Sequence, residues 1–121
     1  MKLQNPFPQT VRLLYLDWWE CFMCGENGQR SGGLEIHHIL GRVSSCAFNS
    51  SCLCKKCHAH VGHSENEHRR IFLRTMQFLF SRHYQPTKQD LDFFEKNHKR
   101  LESKELHVFL NSQREHSKQK E

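Results

Sequence analysis

No run of apolar residues in this chain approaches the length that crosses a membrane. There is no internal repeat and no low-complexity linker, which argues against a repeat array or a string of tethered modules. Apolar residues make up only 36% of the 121. The expectation is a single domain, 1–121, with a thin core that a metal staple would support. The short apolar stretch 11–16 is broken by Arg12 and followed by Asp17, so it does not read as an export signal. Six cysteines could form three disulfides, but Cys-x2-Cys pairs in such a chain are more often metal ligands than bridges. A soluble, reduced, cytoplasmic protein with no membrane partner is expected.

Positive charge is in excess. Eighteen Lys and Arg against 13 Asp and Glu give +5, and ten histidines add to it under mild acid. That balance fits a polyanionic partner such as nucleic acid.

The pattern along the chain predicts α+β. Pro6 and Pro8 mark an extended lead-in over 1–9. Val11, Leu14, Tyr15, Trp18 and Trp19 have helical spacing over 10–20, and the two tryptophans read as packing over the segment that follows. Residues 26–33 and 41–51 are polar loops. Residues 34–39 and 51–53 read as strands, and a helix begins near Lys55. Ser64 with Glu67 predicts a capping box opening a helix that runs to about Arg82. Gln85-Pro86 breaks the pattern, and Thr87 with Asp90 caps another helix through Leu101, with Leu91, Phe94 and Leu101 inward. The helical extension spans 64–112, and 113–121 reads as a frayed polar tail.

The chemistry lies between these outer segments. Cys21-x2-Cys24 and Cys54-x2-Cys57 form two matched pairs, the spacing of a closed tetrahedral zinc site, with Gly25 free to take a positive φ at the first knuckle. Cys46 and Cys52 read as buried or idle thiols, with a site using Cys52 as the lesser alternative. Once four thiolates are satisfied, His37, His38 and His58 are surplus, and they suggest a second, working ion. On a regular strand His37 and His38 point to opposite faces.

Cys21-x2-Cys24, Ile36-His37-His38-Ile39, Asn49 and Leu53-Cys54-x2-Cys57-His58 together resemble the HNH endonucleases of the ββα-metal type, including phage and prophage members. The resemblance covers 21–63. It implies a small zinc-stapled ββα-metal core, with an N-terminal helix before it and the helical extension after it. It also implies metal-dependent hydrolysis of DNA phosphodiesters in a bacterial or phage-infected cell. By the resemblance, His37 and His58 hold the catalytic divalent ion and His38 is the general base. Asn49 is the middle letter of the motif, a loop-closing amide. Such chemistry needs an activated water, a Lewis acid and stabilisation of the departing oxygen, and a histidine not bound to metal suits the first task near neutral pH. Arg42 is a candidate phosphate clamp. Mg2+, Mn2+, Zn2+ and Ni2+ all remain open as the catalytic ion.

The chain departs from the family pattern at the third ligand, because Gly62 stands four residues after His58. On a regular helix i+4 returns within about 40°, whereas His63 lies about 140° round and His60 about 160°. Gly62 predicts an irregular helix end or a π-type turn, which would bring His63 back to the ion. His63 is therefore the expected third ligand, with water as the alternative. Arg30, Lys55, Lys56, Arg69, Arg70 and Arg74 read as a phosphate-tracking set. A branch-selective recombination nuclease acting as a homodimer, and a non-catalytic zinc-finger module binding DNA or protein, are the two rival readings.

Overall fold

Strands β1 (Leu34–His38) and β2 (Ser50–Cys54) pair antiparallel, from Leu34 opposite Cys54 to His38 opposite Ser50. The computed structural model describes residues 7–28, 33–62 and 64–120. Around the sheet lie α1 (Gln9–Arg12), α2 (Lys55–His60), α3 (Glu65–Ser81), α4 (Lys88–Leu101) and α5 (Lys104–Lys120). The architecture is α+β. Arg30, His63 and the Pro6 part of the lead-in lie outside the described residues.

Every residue of β2 is buried, because α3 packs along it and Thr75 donates its hydroxyl to the Ser50 carbonyl at 2.8 Å. β1 is half-covered and carries the polar side chains. α2 follows β2 with no intervening residue, and the Cys54 thiol caps it by accepting the Cys57 amide at 3.5 Å.

The first helix is shorter than its spacing predicts. α1 ends at Arg12, continues as a 3-10 turn over Leu13–Tyr15, and stops. Side-chain packing ends it: Tyr15 stacks on Phe78 at 4.6 Å, and Trp18 packs on Phe78 and Phe22 at 5.0 and 6.1 Å. The Trp18 indole also donates to the Glu20 carbonyl. Trp19 is 44% exposed, so only one of the two tryptophans covers the module.

Ser64 caps α3 by accepting the Glu67 amide at 3.2 Å, one half of the expected reciprocal box. Thr87 and Asp90 form both halves at α4. The inner face of α4 differs from expectation. Leu91 is 57% exposed, while Asp90, Phe93 and Leu101 are buried and Phe94 stacks on Phe72 at its edge. Asp90 turns inward because its carboxylate accepts from the Phe48 and Thr87 amides and from the Tyr84 and Thr87 hydroxyls. Leu91, about 100° round the helix, is thereby placed in solvent. Ser103 accepts the Leu106 amide at the start of α5, and Leu106 is buried. The backbone stays helical to Lys120, through the segment read as a frayed tail.

Candidate functional site

The four paired cysteines converge. One sulfur from each of Cys21, Cys24, Cys54 and Cys57 lies within 4.8 Å of all the others. Cys24 and Cys54 sulfurs are 3.9 Å apart, far beyond a disulfide bond. Four sulfurs about 2.3 Å from one zinc at tetrahedral angles would stand about 3.8 Å apart, so this spacing fits a shared ion. The local backbone explains the arrangement. Gly25 takes φ 75° and donates to the Cys21 carbonyl, which closes the first knuckle. The amides of Met23, Glu26 and Cys57 then point at the sulfurs of Cys21, Cys24 and Cys54.

The electrostatics are compatible with a cation. Burial raises the Cys21 thiol, but hydrogen bonds from the Cys24, Cys54 and Met23 amides outweigh it and bring it to about 7. Cys57 is pushed up, first by burial and then by the neighbouring sulfurs. Once one sulfur is a thiolate, the others resist ionising beside it unless a metal neutralises the group. The cluster is compatible with a structural metal such as zinc. Cys46 and Cys52 stand apart from it and are buried, and burial drives Cys52 up to about 12. Burial disfavours the reactive thiolate at both.

The adjacent histidines part company, as neighbours on a strand must. His37 meets His58 of α2 edge-on, with 4.9 Å between ring centroids. Two imidazoles bound to one ion at about 2.1 Å place their centroids roughly 5 Å apart, so this pair has the separation of two co-ligands. On the other face His38 lies against Phe7, and its Nε2 is 3.4 Å from the Ser45 hydroxyl. Burial, and then the charge of Arg42, lowers its pKa, which keeps the ring neutral near pH 7.

Asn49 is fully buried and ties the loop between the strands together. Its Oδ1 accepts the Leu40 amide at 3.0 Å, and its Nδ2 donates to the Gly41 and Ser44 carbonyls at 2.9 and 2.6 Å. Its own carbonyl accepts the Ile39 amide, directly after the histidine pair.

At the end of α2 the helix-end alternative is found, not the π-type turn. The helix stops at His60, and Val61 is extended, so Gly62 is already off the helix. His60 lines the cleft of Cys24, Cys54 and Cys57, whose lining includes neither His37 nor His58. His63, the expected third ligand, lies outside the described residues. Among the described residues, the four cysteines are the one set of three or more potential ligands that converges this closely.

The basic set divides. Arg69 bonds Glu65 and the Lys99 carbonyl, and Arg74 stands 4.0 Å from Glu20. Lys55, Lys56 and Arg70 are exposed and have no acidic partner among the described residues. Glu35 was missed by the sequence reading, and its Oε1 lies 2.8 Å from His58 Nδ1. The available signal was its place two residues before His37, on the same strand face.

Compared with protein-family models, curated proteins and solved structures, the chain gives no significant match. No helix among the described residues is long and apolar enough to cross a membrane.

Proposed function

We propose that the chain is a metal-dependent DNA endonuclease of the HNH type, built on a zinc-stapled ββα-metal core of β1, β2 and α2. The observation that carries this reading is the His37–His58 pair at co-ligand separation. It sits beside the four-cysteine cluster, with a neutral His38 on the opposite face of the strand. His37 and His58 are the residues that would hold the catalytic divalent ion. Such an ion supplies Lewis acidity toward a phosphate oxygen and stabilises the departing one.

The chain's own groups do the rest. His38 accepts the proton of the attacking water, a role that requires the neutral ring its surroundings favour. Arg42 offers a guanidinium to non-bridging phosphate oxygens. Asn49 keeps the loop after His38 closed, so that the base stays aimed. Lys55, Lys56 and Arg70 provide contacts to the flanking backbone. The four cysteines would hold a zinc that fixes the start of α2, and with it His58.

The test is cleavage by zinc-loaded protein of supercoiled, linear, single-stranded and branched DNA under Mg2+, Mn2+, Zn2+ and Ni2+. His38→Ala should cut about 10²- to 10⁴-fold more slowly while keeping its zinc and its DNA affinity. Preference for branched DNA, with dimers in solution, would select the recombination-nuclease form. One observation favours a non-catalytic zinc module: among the described residues, only the cysteines converge as a complete ligand set. That reading predicts DNA or protein binding that His38→Ala leaves intact, with no cleavage under any of the four ions.

A further inference from the structure

We propose that Glu35 is the positioning residue for His58, fixing the imidazole tautomer so that Nε2 is left as the donor to the catalytic ion. The inference rests on the metal site proposed above and concerns how a two-histidine pair manages without a helix residue at the position of Gly62.

Glu35 and His37 are two apart on β1 and so share a face. α2 brings His58 over that face, where its Nδ1 meets Glu35 Oε1 at 2.8 Å and its ring meets His37 edge-on. A carboxylate accepts only, so a neutral His58 in this contact carries its proton on Nδ1. The lone pair is then on Nε2, the nitrogen free to bind metal. Metal-bound histidines commonly give their second nitrogen to a carboxylate in this way, which orients the ring and makes it a stronger donor.

Two observations favour positioning over direct ligation. Glu35, His37 and His58 do not meet the mutual ligand distance that the four cysteines satisfy. The Glu35 oxygen is also already engaged with the nitrogen that a metal would not use. The pair is solvated, with side chains 45% and 36% exposed, so as an ion pair it adds little stability. Orientation is what the contact supplies. It matters more here because α2 ends at His60, and no later turn of the helix braces His58 from behind.

The experiment uses the full chain with zinc in the cysteine cluster and labelled with 15N at histidine. The His58 tautomer is read by long-range 1H–15N correlation without added ion, with His58→Ala assigning the signal. Ni2+ binding is then measured by calorimetry. The parent should hold His58 in the Nδ1–H form. Glu35→Ala should lose that tautomer and bind Ni2+ about 10- to 100-fold more weakly. Glu35→Gln keeps an accepting oxygen, and should retain the tautomer and most of the affinity. An unchanged tautomer in Glu35→Ala overturns the proposal. So does an equal loss of Ni2+ affinity in the Gln and Ala variants, which would make Glu35 a ligand. If the parent binds no Ni2+ that His37→Ala and His58→Ala abolish, the metal-site reading itself fails, and the ion-free tautomer still decides the role of Glu35.

Discussion

The imidazole of His38 lies flat on the phenyl ring of Phe7, with 3.9 Å between centroids and 14° between planes. Phe7 is only 2% exposed, so the stack is a fixed wall that closes one face of His38. With Ser45 at Nε2, the ring is restrained in both tilt and rotation. Phe7→Leu keeps apolar cover but removes the flat partner. It should cost about 0.5–1.5 kcal/mol of stability beyond any lost area, and should slow DNA cleavage more than it weakens DNA binding. Thermal melts, single-turnover cleavage and binding isotherms on the one variant separate these effects. Equal loss in rate and affinity would mean that Phe7 does not aim His38.

Cleavage should persist into mild acid. Burial, and secondarily Arg42, disfavours the charged form of His38 and holds its pKa below the ordinary 6.5. The base works only when neutral, so activity is full above the folded pKa and falls below it. The acid limb of the single-turnover rate should therefore have its midpoint under 6.5. Arg42→Gln removes the smaller cause and should move that midpoint up, but not all the way, because burial stays. The stability sign agrees: the unfolded chain takes the proton first, so folding is weakened as pH drops through 6.5. An acid limb at or above 6.5 in the parent would rule out His38 in this environment as the titrating base.

Much of the site was legible because its signals are local. Two C-x2-C pairs place four potential ligands by spacing alone, strand alternation separates His37 from His38, and Thr87 with Asp90 announces α4. What was hidden depends on partners distant in sequence. The first helix stops early because Tyr15 and Trp18 are claimed by Phe78. Leu91 lost its inward place to Asp90, and a buried carboxylate runs against any hydrophobic pattern. Neither Phe7 nor Glu35 advertises its histidine, since each contact forms only when another segment arrives. Of the two alternatives that Gly62 offered, the helix end is the one found: α2 stops at His60 and Val61 is extended, with no π-type turn.

Protein purified without added metal should contain about one zinc per chain, as a closed four-thiolate site requires. Because metal binding is also folding free energy, chelation should lower the melting temperature, and Cys57→Ser should lose both zinc and stability. Elemental analysis and melts with and without chelator check this. A reduced, folded sample with no zinc would remove the metal from the cysteine cluster.

Asn49 satisfies one amide and two carbonyls at once. Asn49→Ala should cost on the order of 2–4 kcal/mol, as one buried donor and two acceptors lose their partner. Asn49→Asp keeps the oxygen for Leu40 but sets a second oxygen against the carbonyls of Gly41 and Ser44. Its carboxyl should be held protonated, with a raised folded pKa. Stability should then be present below the unfolded value near 4 and lost as pH rises through the folded one. Urea melts across pH test this, and an aspartate variant more stable at pH 7 than at pH 4 would contradict the amide geometry.

The salt response should distinguish cations that face DNA from those that hold the fold. Each phosphate contact releases counterions, so the slope of log affinity against log salt is about −0.9 per contact on duplex DNA. Lys55, Lys56 and Arg70 are exposed and have no acidic partner among the described residues. Replacing all three by Gln should make the slope shallower by about 2–3 and weaken binding across sequences alike. Arg69 and Arg74 are committed to Glu65, the Lys99 carbonyl and Glu20, so Arg69→Gln and Arg74→Gln should leave the slope unchanged. Lys56 also lines the cleft beside Cys24, Cys54 and Cys57, so zinc content is measured in the triple variant as a control. If the slope shifts for Arg69→Gln or Arg74→Gln and not for the triple variant with its zinc intact, DNA does not cross the α2 face and the path proposed for it is wrong.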